Sequence, residues 1–276
     1  MYKLISLDLD GTLLSDDGTI SRENISCLKE FSEKGGIVVL SSGRMTGCIS
    51  PFAEMLGIDC PLIAYNGAMA KLNRASGRRI IYHNPVGPAY ADMLIDYCAE
   101  NNFLLNYYLQ DVLYAQDDEN LRKYAEIYSC QTGAVYHPVK NLKMMKGNSP
   151  TKMILITDAV NGKNPFRSRD FQYGYFKNKI GDGLNVLKTN PEYLEFMNIG
   201  SDKGTALAKI ADYFNLGRDE IIALGDGEND ISMLEYAGLS AAPANAGEKV
   251  KKSADVVLEW DNNRSAAGKF LSKILH

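Results

Sequence analysis

Ile37-Val38-Val39-Leu40 is an unbroken run of aliphatic, mostly β-branched residues that stops at Ser41-Ser42-Gly43-Arg44. A strand without polar alternation must be covered on both faces, as strands are inside a parallel sheet flanked by helices. The same grammar recurs along the chain. LISLDL at residues 4–9 ends in Asp10-Gly11-Thr12, Leu62 to Tyr65 runs into Asn66-Gly67, and IIAL at 221–224 ends at Gly225-Asp226. Helical stretches lie between these strands. Ser21 can cap a helix with Ile25, Leu28 and Phe31 on its apolar face and Gly35-Gly36 at its end, and a second helix ends at Leu56-Gly57. Strand and helix alternating at this spacing predict an α/β fold built on a doubly wound, Rossmann-like parallel sheet.

The pattern changes near Pro85. A helix over 88–100, a hairpin of FLLNYYL and VLYAQ turning at Gln110-Asp111, and a helix over 119–129 come first. A strand from Lys152 to Ile156, a loop-like stretch from Asn161 to Asp170 and a pair of strands ending near Leu187 complete the region. Hairpins beside helices predict an inserted α+β domain at 84–190, between core segments 1–83 and 191–276. From there the alternation returns, with helices over 202–214, 230–237 and 246–253 and strands at 221–224, 239–241 and 256–258.

A length of 276 residues suits two domains. A net charge of −4 argues against a general nucleic-acid binder, so a small anion would be held by local cations and backbone N–H groups. No apolar run approaches the ~18 residues of a membrane span, and the first residues do not read as a signal peptide. The five cysteines form no C-x-x-C pair, which predicts reduced, mostly buried thiols in a cytoplasmic protein.

Loops leaving the carboxyl ends of parallel strands line the binding crevice of such a sheet, and four of them carry unusual chemistry. In Asp8-Leu9-Asp10-Gly11-Thr12, strand alternation predicts that both carboxylates point to one side, where they repel unless a cation or shared proton intervenes. Ser42-Gly43-Arg44 offers a hydroxyl and a flexible backbone N–H to a phosphate oxygen. Gly200-Ser201-Asp202-Lys203-Gly204 puts a lysine in the first turn of a helix, a poor place for it unless it serves an anion. Gly225-Asp226-Gly227-Glu228-Asn229-Asp230 crowds acids at a helix start and suits a hard cation with oxygen ligands, Mg²⁺ above all. Each loop alone also fits an ordinary turn or cap; the set and its order are far more specific.

Asp8-Leu9-Asp10-Gly11-Thr12-Leu13-Leu14, Ser42-Gly43-Arg44, Lys203 and Gly225-Asp226-Gly227-Glu228-Asn229-Asp230 together resemble the motifs of the haloacid dehalogenase superfamily. Tyr65-Asn66-Gly67-Ala68, Tyr193-Leu194-Glu195, Asn245-Ala246 and Ala254-Asp255 are similar to its supporting phrases. The position and size of the insert resemble a C2B cap, as in the Cof-type phosphatases. The resemblance implies a Mg²⁺-dependent phosphatase of small phosphorylated metabolites acting through an aspartyl-phosphate. It implies Asp8 as nucleophile, Asp10 as acid and then base, and Ser42 and Lys203 as anchors for phosphoryl oxygens. It also implies Mg²⁺ on Asp8, the carbonyl of Asp10 and Asp226, with Asn229 and Asp230 acting through waters. Gly11, Ser42, Gly43, Arg44, Asn66 and Asn245 are the expected substrate contacts. Asp10 speaks against dehalogenation, since a halide leaves without a proton. The alternatives are a phosphomannomutase-like phosphotransferase and a non-catalytic Mg²⁺ or ligand sensor. A monomer or weak homo-oligomer without nucleic-acid or membrane partners is expected. Asn262 to Gly268 departs from the acidic phrase usual at that place, and Ser42 replaces the more frequent Thr.

Overall fold

The computed structural model describes residues 1–73, 79–158 and 164–275. The chain divides into two compact units, one of Met1–His83 with Asp202–His276 and one of Asn84–Ser201. In chain order the first unit opens with β1 (Leu4–Asp8), α1 (Arg22–Glu33), β2 (Ile37–Ser41), α2 (Thr46–Leu56), β3 (Leu62–Ala64), β4 (Met69–Lys71) and β5 (Ile80–His83). The second unit follows with α3 (Pro88–Asn101), β6 (Leu104–Leu109), β7 (Val112–Gln116), α4 (Arg122–Thr132), β8 (Tyr136–Val139), β9 (Lys152–Ile156), α5 (Arg169–Ile180), β10 (Leu184–Lys188) and β11 (Tyr193–Asn198). The first unit resumes with α6 (Lys203–Tyr213), β12 (Ile221–Leu224), α7 (Ile231–Tyr236), β13 (Leu239–Ala242), α8 (Glu248–Ser253), β14 (Val256–Val257) and α9 (Ala266–Leu275).

The first unit is the expected doubly wound sheet, ordered β14-β13-β12-β1-β2-β3-β4-β5, parallel from β14 to β3 and antiparallel over β4 and β5. Leu4, Val39, Ile63, Ile221 and Ala223 of the sheet pack with Ala206, Leu207 and Ile210 of α6 and Met233 and Leu234 of α7. Each such aliphatic side chain contributes roughly 1.5–3 kcal/mol by burial. The register decides where the chemistry can sit. Asp8 pairs with Ser41 of β2, and Leu7 pairs with Leu224 of β12, so Ser42 and Gly225-Asp226 leave the sheet beside Asp8.

The first helix differs from the expectation in one position. Asn24, not Ile25, is fully buried, because its side chain donates to Leu13 O at 3.2 Å and accepts from the Gly268 N–H at 2.8 Å. That bond ties α1 to α9, a helix that the sequence pattern did not announce.

The second unit carries a six-stranded sheet ordered β10-β11-β9-β6-β7-β8, antiparallel except for the parallel pair β7–β8. The expected hairpin is present, with Gln110 and Asp111 both at positive φ (51° and 65°) in its two-residue turn. On one face Leu105, Tyr107, Met153, Leu155, Leu194 and Phe196 bury against Leu94 and Cys98 of α3 and Phe176 of α5. The alternate residues Asn106, Tyr108, Lys152 and Glu195 are also buried, so this sheet holds a polar layer on its other side.

Two expectations about this unit need correction. The core does not resume at residue 191: β11 is bonded between β10 and β9 of the inserted sheet, and the first unit restarts at Asp202. Its largely apolar run, YLEFM, reads like a parallel strand because both of its faces, Glu195 included, are covered here too. The pair of strands before Leu187 is one helix, α5, and one strand, β10. The aromatic Tyr173-Gly174-Tyr175-Phe176 favours strand locally. Against it, Ser168 caps the helix by accepting the Phe171 N–H, and Gln172 and Phe176, four apart, face inward. Residues 161–163 of the loop-like stretch lie outside the described residues.

Candidate active site

Asp8 ends β1 and is 6% exposed. Its Oδ1 lies 2.6 Å from Lys203 Nζ, and the same ammonium lies 2.5 Å from Asp230 Oδ1. Lys203 is fully buried at the first position of α6, whose cap is Asp202; the Asp202 carboxylate accepts the Thr205 N–H at 2.8 Å. The helix start is seated against the Tyr65-Asn66-Gly67 turn. A Cβ on Gly67, at φ +93°, would lie 2.0 Å from Asp202 O, so only glycine permits this approach.

Asp230 joins the other half of the site. Its Oδ2 accepts from the N–H groups of Asp226 and Gly227 at 3.1 and 2.9 Å, which folds the acidic loop onto itself. Asp226 comes close to the first loop: Thr12 Oγ1 donates to its Oδ1 at 2.8 Å, and a Cβ on Gly11 would lie 2.4 Å from its Oδ2. Asp8, Asp226 and Asp230 each present a carboxylate oxygen, all within 4.8 Å of one another.

Burial, and then the neighbouring Asp230 carboxylate, lifts Asp8 well above the ordinary carboxylate range. Burial also lifts Asp226, against the Thr12 hydroxyl. Burial alone would lower Lys203, but Asp8 and Asp230 more than offset it and hold the amine above its usual value as a cation. Three carboxyl groups thus crowd around one ammonium, more acids than the lysine can balance. An all-oxygen, acid-rich donor set of this kind fits a hard divalent cation such as Mg²⁺.

The remaining expected residues divide. Ser42 is buried, and its Oγ accepts the Arg44 N–H at 3.2 Å. Asp10 lies beyond the strand, exposed, and is gripped by Arg44, whose Nε and one terminal nitrogen stand 2.9 and 2.5 Å from its two oxygens. Asn66 Oδ1 accepts from Asn229 Nδ2 at 2.9 Å, so these two residues meet each other. Asn245 is tied into the protein: its Nδ2 donates to Gly11 O at 2.8 Å and its Oδ1 accepts the Asn262 N–H at 3.1 Å.

Sequence reasoning missed three contributors. Thr12 lies inside the first motif with no role assigned to it there, and only the fold shows its hydroxyl on Asp226. Ser41 pairs in register with Asp8 and is fully buried, and its hydroxyl finds no partner among the described residues. The Ser41-Ser42 doublet hid it, because both residues read as one hydroxyl loop. The atypical C-terminal segment serves the architecture. Asn262 Nδ2 donates to Leu14 O at 3.0 Å and Asp16 Oδ1 at 2.9 Å, holding the chain after the first motif.

The paired sheet ends, the buried lysine and the acidic trio define a phosphoryl-transfer type of site, and comparison with known proteins agrees. A profile of the haloacid dehalogenase-like hydrolases matches residues 5–271, and the chain belongs to that family. It is a phosphatase. A 5-amino-6-(5-phospho-D-ribitylamino)uracil phosphatase of Bacillus subtilis is 29% identical over 258 residues, covering 91% of this chain and 90% of the relative. The phosphoglycolate phosphatase of Methanopyrus kandleri is 26% identical over 281 residues, covering 100% of this chain and 98% of the relative. A crystal structure from Thermotoga maritima superposes with a TM-score of 0.88 at 33% identity, covering 99% of this chain and 97% of that one. Among the described residues no helix is long and apolar enough to cross a membrane.

Proposed function

We propose that the protein is a Mg²⁺-dependent phosphatase of small phosphorylated metabolites that works through a phosphorylated Asp8. The observation that carries this reading is the buried Asp8–Lys203–Asp230 contact beside Asp226, with Asp10 two residues beyond the nucleophile. Lys203 occupies Asp8 Oδ1, which leaves Oδ2 to attack phosphorus as the ester P–O bond breaks. Asp10 gives its proton to the departing alkoxide. As a carboxylate it then takes a proton from the water that cleaves the acyl phosphate and frees inorganic phosphate. The Lys203 ammonium and the Ser42 hydroxyl stand ready for the charge on the equatorial oxygens. Asp8, Asp226 and the Asp10 carbonyl would hold Mg²⁺, with Asn229 and Asp230 reaching it through waters. The ion supplies charge neutralisation between carboxylate and phosphate.

The relatives named above act on a phosphorylated ribityl compound and on phosphoglycolate, which supports small phosphate monoesters as the substrate class. The inserted α+β unit is then a cap of the C2B type, a reading supported by its place in the chain at Asn84–Ser201. Phosphate release from a panel of phosphorylated metabolites, with Mg²⁺ or EDTA, tests the reading in wild type and Asp8→Asn. Turnover should require Mg²⁺ and fall about a thousandfold or more in the variant, because the nucleophile is gone. Undiminished release by Asp8→Asn would overturn the covalent mechanism.

A further inference from the structure

Arg44 stands where the sequence predicts a substrate contact, yet its guanidinium faces Asp10. Nε meets Oδ2 at 2.9 Å and a terminal nitrogen meets Oδ1 at 2.5 Å. We propose that Arg44 is a positioning residue, which aims the Asp10 carboxyl group for proton transfer, and that it does not bind the substrate. This rests on the acid–base reading of Asp10 given above.

Arg44 is held through its backbone and by the Phe52 ring. The Arg44 N–H donates to Ser42 Oγ at 3.2 Å, its carbonyl accepts the Tyr65 N–H at 3.0 Å, and its guanidinium carbon lies 5.5 Å from the centre of the Phe52 ring. Asp10 is not fixed in the same way. It sits past the end of β1, where the backbone forms an isolated bridge to Leu14, and its side chain is 57% exposed. A two-point fork sets the plane of a carboxylate, whereas a lysine would only place a charge beside it.

Stability does not explain the pair. With side chains 36% and 57% exposed, the pair is a solvent-screened ion pair that adds little to stability, so variants at Arg44 should remain folded. Orientation, in contrast, is what a proton donor needs, since a small misplacement is enough to slow transfer.

The leaving group provides the test. An alkyl phosphate expels an alkoxide that needs a proton, whereas p-nitrophenyl phosphate expels a phenolate that does not. The ratio of their kcat/KM values therefore reads the acid step alone. Arg44→Ala should lower kcat/KM for the alkyl ester about 10- to 100-fold, mainly through kcat, and for the aryl ester by less than about 3-fold. Arg44→Lys keeps the charge but loses the fork, and should not restore the ratio. In an Asp10→Asn background, Arg44→Ala should change the ratio no further, because the two residues act as one unit. Equal losses on both esters, a loss carried by KM, full activity in Arg44→Lys, or losses that persist beside Asp10→Asn would overturn the proposal. If Asp10→Asn itself leaves the ratio at the wild-type value, the acid–base reading of Asp10 fails, and the role given to Arg44 falls with it.

Discussion

Each unit of this protein buries a lysine against carboxylate at its sheet, and the two lysines differ. Lys203 in the first unit is wholly buried and stands 2.6 and 2.5 Å from two carboxylates, with Asp226 close by. Lys152 in the inserted unit lies 3.4 Å from Glu195 on a layer of neutral polar groups. There Glu195 also accepts the Thr189 hydroxyl, the ammonium faces the Tyr108 ring at 5.4 Å, and the Tyr108 and Tyr128 hydroxyls meet at 2.5 Å. In the first unit the acids outnumber the cation; that is costly for a fold and useful for a metal-assisted reaction. In the inserted unit, hydroxyls and amides share the load with the charges.

The largest effect that can break this comparison comes from removing each ammonium. Lys203→Met strands two buried carboxylates and should destabilise the metal-free protein by about 3–5 kcal/mol, with phosphate release lost as well. Mg²⁺ should recover part of that stability, because a cation can take over the charge. Lys152→Met should also lower the melting temperature, but with no recovery in Mg²⁺ beyond that of wild type. Equal responses of the two variants to Mg²⁺ would show that the acidic trio is not where the ion acts.

A smaller effect separates the same two places by pH. Asp8 and Asp226 are raised in the metal-free protein, first by burial and, for Asp8, next by Asp230. The folded state then holds protons more tightly than the unfolded chain does. The metal-free fold is therefore favoured below the unfolded carboxylate range and loses stability as pH rises through the raised values. Mg²⁺ competes with those protons, so the gain in melting temperature on adding it should be larger near neutrality than in mild acid. At a concentration about a hundredfold above its dissociation constant the ion should add about 2.7 kcal/mol. A gain that does not change with pH would mean the ion binds away from these carboxylates.

The two units were also unequally legible in the sequence. Ile37–Ser41, Thr46–Leu56 and Lys152–Ile156 announce themselves through apolar runs and a terminal Gly57, and the order of the loops points to Asp8, Lys203 and Asp226. What stayed hidden was set by partners distant in sequence. Arg44 reads as a substrate ligand in the sequence, and only the fold shows Asp10, 34 residues away, under its guanidinium. Asn245 is expected at the substrate as well, and its amide donates to the carbonyl of Gly11, 234 residues earlier. Asn24 looks like a surface residue until α9 arrives to receive it. In the inserted unit, α5 and the membership of β11 depend on which faces are covered, and a strand covered by its neighbours on both faces looks the same in either sheet.

The finest comparison uses one thiol from each unit. Cys60 in the first unit is fully buried, and burial pushes its thiol up to about 12; burial raises Cys98 in the inserted unit as well. Neither can form the reactive thiolate while its unit is closed, whereas Cys130 is exposed. In mildly basic buffer a thiol reagent should modify Cys130 at once, and Cys60 and Cys98 only through opening of the surrounding structure. Mg²⁺ is expected on the acidic trio of the first unit, so it should slow labelling of Cys60 more than that of Cys98. Mass spectrometry of peptides bearing each cysteine, over a time course with and without Mg²⁺, separates the rates. Equal slowing at both thiols would mean that the two units open together, and that the stabilisation gained at the acidic site extends to the polar layer around Lys152.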